Sequence, residues 1–271
     1  PTPLLMLEGL PIKPLAPGEP MDLVKWETTL DAVSGTTASS GRLTYRVDGA
    51  GFFPRLIDLI GAARESVWVR MYIFDNDDYA TEIATLLKRR SRDIEVKVLV
   101  DSLGTLGAGM ANAPSHPPDH KPEASIVRYL EEDSAVQVRT VANIWFAGDH
   151  TKTILIDTEI AFLGGMNIGR EYRYDWHDLM VEVEGPVVTD IGNHFLQAWA
   201  ASGFLGDLQQ LLNRKRLQPV TAGAPDYPLR LLRTRPGNSQ ILRAQIAATR
   251  EARNHIYLEN PYITSDAILY E

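Results

Sequence analysis

The sequence predicts an α/β fold with a mixed, mostly parallel sheet and helices on both of its faces. From Leu43 onwards, short β-branched runs alternate with amphipathic helical stretches, which is the pattern of β-α-β units. One of these units returns late in the chain, so two similar halves are expected. The chain has 271 residues, of which 44% are hydrophobic, and this is enough to build a large core.

The individual elements follow from local periodicity. Apolar residues three or four positions apart predict helices, whereas β-branched runs predict strands. The predicted strands are 43–47, 66–74, 95–100, 136–140, 153–156, 160–163, 178–182 and 229–234. The predicted helices are 21–33, 51–64, 80–92, 125–132, 187–199 and 240–253. Residues 104–122 are rich in Gly, Ala and Pro, which indicates a long loop.

The internal repeat predicts the domain organisation. Ala63-Arg64, followed by Val67-Trp68-Val69, returns as Ala252-Arg253, followed by Ile256-Tyr257-Leu258. The expected domains are an N-terminal arm over 1–41, a first α/β half over 42–203, a linker over 204–228 and the start of a second half over 229–271. The second half is expected to be incomplete, because the repeat offset places its key residues beyond residue 271.

The stretch from 148 to 178 carries the chemistry. His150, Lys152 and Asp157 form a His-x-Lys-x4-Asp array, and Gly164-Gly165-Met166-Asn167 follows it. In an extended segment, His150 and Lys152 leave the same face because they are two residues apart. An imidazole can attack phosphorus, while a lysine and an asparagine amide can hold the non-bridging oxygens. The array therefore predicts phosphoryl transfer.

These residues resemble the HKD signature of the phospholipase D superfamily. The segments 168–172, 176–178 and 184–188 are similar to the bacterial cardiolipin synthase branch in particular. The resemblance implies a phospholipase D fold and a phosphohistidine formed on His150, which water or another alcohol then discharges. It also implies two motifs at a pseudo-twofold axis, the second supplying a histidine that protonates the leaving alcohol. No metal or other cofactor is needed, because two lysines supply the positive charge.

Other residues receive expected roles around this array. Lys152 and Asn167 would hold the phosphoryl oxygens, and the turn at Gly165 would lie beside them. Trp145, just ahead of the array, either packs in the core or lines the mouth of a substrate pocket. It is counted among the substrate-binding candidates.

Two acids have expected supporting roles. The resemblance makes Asp178 the acceptor of a hydrogen bond from the His150 imidazole, which would fix its tautomer; a salt-bridge role is the alternative. Asp157 lies off the face that His150 and Lys152 share, so we expect it to hold the geometry of the motif. His177 points away from Asp178 and is expected to be structural.

Two further groups of polar residues are more consistent with structural roles. Asp75, Asp77 and Asp78 lack the Gly and the distant Glu of a calcium loop, which favours helix capping. His116 and His120 have the spacing of a zinc pair, but the prolines among them make a helix improbable. The sequence has no Cys, which excludes disulfides and thiolate metal sites.

Three functions remain open at this stage. A phospholipase D or cardiolipin synthase-like enzyme is favoured, with a phospholipid and a membrane surface as its partners. An endonuclease of the same superfamily is the second; the net charge of -8, and Asp149 beside His150, disfavour a nucleic acid. The third is a non-catalytic lipid-binding relative.

The expected location and missing partner follow from the favoured function. A lipid substrate would place the protein at the bacterial cell envelope, or exported, and peripheral to the membrane. The chain begins with Pro rather than Met, so a processed start is expected. The second motif would come from a missing C-terminal half or from a separate fragment.

Overall fold

The computed structural model describes residues 18–108, 117, 119–141, 148–203, 217, 226–260 and 265–269. The chain divides into two compact units. The large unit is Ser39–Leu231, and the small unit combines Pro1–Ala38 with Leu232–Glu271.

The described helices and strands follow the predicted order closely. The helices are α1 (Leu23–Ser34), α2 (Asp48–Ala62), α3 (Asp78–Arg90), α4 (Ser102–Ala108), α5 (Ile126–Glu131), α6 (Arg170–Tyr174), α7 (Val187–Ala201), α8 (Gln240–Glu251) and α9 (Asp266–Leu269). The strands are β1 (Ser39–Val47), β2 (Ser66–Met71), β3 (Glu95–Asp101), β4 (Gln137–Val141), β5 (Thr153–Ile156), β6 (Ile160–Gly164), β7 (Leu179–Glu184), β8 (Tyr227–Leu229), β9 (Thr234–Arg235) and β10 (Asn238–Ser239).

The large unit is built on one mixed sheet. Its strand order is β4-β3-β2-β5-β6-β7-β1-β8. Strands β2, β3 and β4 are parallel, and every other neighbouring pair is antiparallel. The mixed sheet is confirmed, with a smaller parallel part than the alternation of strands and helices predicts. The reason is local, because the short turn between β5 and β6 allows only an antiparallel pair.

Two hydrophobic layers cover the two faces of this sheet. On one face, residues of α2, α3 and α5 pack on alternate residues of the strands, with Phe52, Phe53 and Phe162 fully buried. On the other face, α7 packs Phe195 and Trp199 against Trp68 and its neighbours. The two layers explain why the central strands read as nearly continuous apolar runs.

Local sequence sets several element boundaries. Asp77 caps α3 by accepting a hydrogen bond from the Ala80 N–H at 2.7 Å, so the predicted capping role in the acidic run is confirmed for this residue. Helix α3 ends in Lys88, Arg89 and Arg90, whose charges complement the carboxyl end of the helix dipole.

Three expectations differ from the structure. The predicted loop 104–122 begins inside α4, which Asp101 caps through the Leu103 and Gly104 amides. The predicted strand 229–234 is not formed: β8 ends at Leu229 and pairs with β1 of the large unit. The repeated segment Ile256–Leu258 is not a strand. Residues 227–229 therefore complete the first sheet, although the sequence predicted them as linker and second half.

In the small unit, α1 packs on α8. Asp22 caps α1, and the Gln240 amide donates to the Ser34 carbonyl at the other end of that helix. None of the helices in the described ranges is both long and apolar enough to span a bilayer.

Candidate active site

The candidate site lies at one edge of the large sheet. Register pairs Arg70 at the end of β2 with Thr153 at the start of β5, and Thr153 with Leu163 near the end of β6. Gly164 is paired in turn with Met180 near the start of β7. The segments that carry the predicted residues therefore leave the sheet at the same edge.

His150 and Lys152 are in contact at this edge, as their spacing predicts. The Lys152 Nζ atom lies 3.4 Å from His150 Nδ1 and 3.5 Å from Nε2. Lys152 is 5% exposed, whereas the imidazole reaches solvent. The ring of Tyr72 packs on the His150 ring with centroids 4.4 Å apart, and Lys152 Nζ lies 5.1 Å from the Tyr72 centroid.

Burial lowers the pKa of both groups, and neighbouring charges act on each. Burial and the neighbouring Lys152 charge lower the pKa of His150, while Asp101 and Asp149 act in the opposite direction. Burial lowers the pKa of Lys152 to about 8, against the opposing effect of Asp178 and Asp149. At neutral pH the arrangement favours an uncharged imidazole beside an ammonium group, which is the state in which the imidazole is a nucleophile.

Two residues that the sequence reading missed hold the segment before His150. Asp149 forms an ion pair with Arg70, with 2.7 Å between Oδ2 and Nε, and its backbone N–H donates to Asp101 Oδ2 at 2.7 Å. Burial would raise the pKa of Asp149, but Arg70 outweighs it and the pKa is lowered. The sequence does contain a signal for each: Arg70 is a charged residue within an apolar strand, and Asp101 is an acidic residue at the end of another. Because Arg70 neutralises Asp149, this residue no longer argues against a nucleic acid.

Asn167 is buried and its amide is used within the protein. Its Oδ1 accepts from the Ile73 N–H at 3.0 Å, and its Nδ2 donates to the Tyr172 hydroxyl at 2.7 Å. Burial raises the pKa of Tyr172 to about 12, against the opposing hydrogen bond from Asn167. The amide joins the segment after β6 to the end of β2, and one Nδ2 hydrogen remains for another acceptor.

Gly165 and Asp178 are neighbours. A Cβ on Gly165 would lie 2.0 Å from Asp178 Oδ1, so this position has no space for a side chain. The Gly165 N–H already donates to the Leu179 carbonyl at 3.0 Å and is therefore not free to bind substrate.

The structure does not join Asp178 to His150. Its Oδ1 accepts from the Leu179 N–H at 2.7 Å, and its charge acts on Lys152. No hydrogen bond links Asp178 to His150 in the described part of the chain, because the imidazole turns towards Lys152 and Tyr72. His177 is exposed and pairs with Asp48 at 2.7 Å.

Asp157 lies at the opposite edge of the sheet. It begins the three-residue turn 157–159 between β5 and β6, in which Asp157 and Thr158 have positive φ (52° and 55°). Its carboxylate accepts hydrogen bonds from the N–H groups of Arg64, Glu65 and Ser66, at 2.7 to 3.1 Å. It therefore anchors the start of β2 and is not brought together with His150.

The remaining candidates have other partners or lie outside the described residues. Trp145 and His116 lie outside the described residues. His120 Nε2 is 3.2 Å from the Asn76 carbonyl oxygen. Asp78 pairs with Arg170 at 2.6 Å. Among the residues described, no group of three or more His, Asp or Glu side chains has a geometry that could hold a metal ion.

The chain is similar to known proteins in sequence and in fold. Two curated cardiolipin synthases, from Clostridium perfringens and Listeria welshimeri, are each 24% identical to the chain and match 83% of it. The matches cover 48% and 46% of those relatives, so the chain spans about half of their length.

A solved structure, the phosphatidylserine synthase of Haemophilus influenzae, has the same fold. Its TM-score is 0.57 at 13% identity, and the match covers 84% of this chain and 58% of that one. Residues 56–199 match the family described as cardiolipin synthase, PLD-like domain. Because that match extends over more than half of the chain, and includes both His150 and Lys152, the protein belongs to this family.

Proposed function

We propose that this chain carries the nucleophilic half of a phosphatidyl-transfer site that acts on glycerophospholipids. The observation that carries the proposal is the contact of the buried Lys152 ammonium group with the His150 ring, at 3.4 and 3.5 Å from its nitrogens. A phosphodiester needs an uncharged nucleophile and a cation for its oxygens, and the two side chains offer both at one place.

The first step forms a P–N bond. A nitrogen lone pair of neutral His150 attacks phosphorus, and the P–O bond to the leaving alcohol breaks. The leaving oxygen takes a proton from an acid, which we assign to the histidine of a second motif. Water or another alcohol then attacks phosphorus, the P–N bond breaks, and the proton of the attacking hydroxyl passes to that same histidine.

Lys152 stabilises the charge that builds on the non-bridging oxygens. Asp178 keeps Lys152 charged, since its carboxylate raises the lysine pKa against the effect of burial. The uncommitted Nδ2 hydrogen of Asn167 is a second donor for the same oxygens. Gly165 gives Asp178 the space to approach, and Asp157 holds the far end of β2.

The family and its relatives support a lipid substrate. Relatives named cardiolipin synthase match most of this chain, but the chain spans about half of their length. We therefore assign the second motif to additional polypeptide, either a C-terminal half or a separate fragment. The site would work at a membrane surface. Its position in the cell envelope, or outside the cell, stays a prediction from the sequence.

The decisive experiment is lipid product analysis by mass spectrometry. The purified chain is given phosphatidylglycerol or phosphatidylcholine vesicles with added glycerol, and single-stranded DNA is supplied in a parallel assay. A phosphatidyl ester of p-nitrophenol is also tested, because this leaving group departs without an acid and isolates the step made by His150. We expect the chain to release p-nitrophenol from this ester, whereas phosphatidic acid or exchanged phospholipid forms from the vesicles where the acid of the second motif is also supplied.

The matched variants are His150→Asn and His255→Asn, since His255 is an exposed histidine of the small unit. Loss of all products in the first variant alone supports the proposal. Cleavage of DNA with intact lipids would replace it with the nuclease function. Absence of p-nitrophenol release by the folded wild-type chain would overturn the assignment of His150 as nucleophile.

A further inference from the structure

The segment that leads into His150 is fixed from the side of β3. Asp101, the last residue of β3, is 1% exposed, and its Oδ2 accepts the Asp149 N–H at 2.7 Å. A buried carboxylate thus holds the peptide group between Gly148 and Asp149, one residue ahead of the candidate nucleophile. A charge-assisted hydrogen bond of this length restrains the backbone more firmly than a neutral one.

The other oxygen of Asp101 is fixed as well. Its Oδ1 accepts from the N–H groups of Leu103 at 3.0 Å and Gly104 at 2.9 Å, which is the N-cap arrangement of α4. Because both oxygens are engaged, the side chain has one orientation. Its link to Asp149 is consequently part of a rigid element.

A second route leads from Asp101 to the imidazole. The cap sets Gly104 against Tyr72 so closely that a Cβ there would be 2.4 Å from the Tyr72 carbonyl oxygen and 2.8 Å from its ring. The ring of Tyr72 in turn packs on the His150 ring, at 4.4 Å between centroids. Asp101 therefore acts on both the backbone before His150 and the surface on which its ring lies.

We propose that Asp101 is a positioning residue for His150: it fixes the imidazole through the Asp149 amide and Tyr72, and places a negative charge beside it. The inference deepens the proposed function and rests on it for the role of His150. Asp101 thereby takes the role that the sequence predicted for Asp178, which is to orient the His150 imidazole.

The charges around His150 define the expected response to pH. Lys152 faces the His150 ring and lowers its pKa together with burial, while Asp101 and Asp149 raise it. Tyr72 packs on the same ring. Removal of the Asp101 charge should therefore lower the pKa of His150 further. A residue that only capped α4 would leave that pKa unchanged.

The test is an NMR titration of the six histidines in the full chain, with His150 assigned by its disappearance in His150→Asn. Three variants are compared. Asp101→Asn keeps the shape but not the charge. Asp101→Ser keeps a good N-cap for α4 but loses both the charge and the reach to Asp149. Asp77→Asn is the control, because Asp77 is a buried cap of α3 that accepts from Ala80 and Arg170.

We expect a lower His150 pKa in both Asp101 variants and the wild-type value in Asp77→Asn. An unchanged His150 pKa in a folded Asp101 variant would overturn the inference. Hydrogen exchange of the wild-type chain gives a check without mutation: the Asp149 amide should exchange slowly, and exchange at the rate of an open loop would also overturn it.

The activity measurement separates this inference from the proposed function. On the p-nitrophenyl substrate, Asp101→Asn should lower kcat about tenfold and change KM less than about twofold, since positioning acts on the transition state. If the wild-type chain fails to react, the proposed function fails, and the titration still decides whether Asp101 supports His150.

Discussion

The pattern that leads into β2, Ala63-Arg64 followed by Val67-Trp68-Val69, has a second copy at Ala252-Arg253 and 256–258. In the first copy, Val67 and Val69 are 0% and 1% exposed, with β3 on one side and β5 on the other. In the second copy, Ile256 and Tyr257 are 51% and 83% exposed and form no strand. A β-branched run favours an extended backbone. It becomes a strand only where neighbouring strands pair with it and one of its faces is packed.

The largest expected difference between the two copies is in stability. Trp68→Ala removes a side chain that stacks on Phe195, with centroids 5.3 Å apart, and donates to Glu95 at 2.8 Å. We expect a loss of about 3–5 kcal/mol in the free energy of unfolding. Tyr257→Ala should change it by less than about 0.5 kcal/mol. Urea unfolding followed by circular dichroism measures both; equal losses would mean that the second copy is packed as well.

The two copies also differ at the residue that follows the pattern, which is Arg70 in the first and Glu259 in the second. Arg70→Glu places a carboxylate beside Asp149 in a pair whose side chains are 11% and 15% exposed. We expect a loss of about 3 kcal/mol in stability and at least about 100-fold in activity, because the segment before His150 is displaced. Glu259→Arg is the matched control. Activity within twofold of wild type in Arg70→Glu would show that this ion pair does not hold the site.

Lys152, the residue before β5, should give the site its own response to pH. Burial lowers the pKa of Lys152 to about 8, so its positive charge is lost as the pH rises through that value. We expect kcat/KM to be about tenfold lower at pH 9 than at pH 7. Lys152→Arg should abolish this alkaline fall, since a guanidinium group stays charged. If kcat/KM of that variant still fell at alkaline pH, the fall would come from the titration of another group.

The start of β2 gives the smallest effect. Burial would raise the pKa of Asp157, but hydrogen bonds from the N–H groups of Ser66, Arg64 and Glu65 hold it below its usual range. A lowered pKa adds stability above the unfolded value and loses it as the pH falls through the folded value. Asp157→Asn should cost about 1 kcal/mol at pH 7, and this difference should shrink towards pH 3. Asp133→Asn, at another aspartate with positive φ, is the control. An equal loss of stability in that variant would show that the hydrogen bonds to the Asp157 carboxylate do not cause the loss.

The contacts that could be predicted from the sequence are those that depend on neighbouring residues. His150 and Lys152 meet because strand alternation places residues two apart on one face, and Asp157 lies in a turn because two strands flank it. Arg70 and Asp101 were missed because sheet register, which spans distant residues, brings them to Asp149. The orientation of Asp178 depends on a tertiary fit around Gly165, which spacing does not encode.

The place of β1 in the sheet has a consequence for biosynthesis. Arg42 on β1 pairs with Glu184 on β7, 142 residues later. At a synthesis rate of about 5–20 residues per second, β1 waits roughly 7 to 30 s on the ribosome before its partner is made. During that interval its Leu43, Tyr45 and Val47 form a free β-edge, the kind of segment that recruits chaperones or aggregates. The first strand of this sheet is thus among the last to be paired.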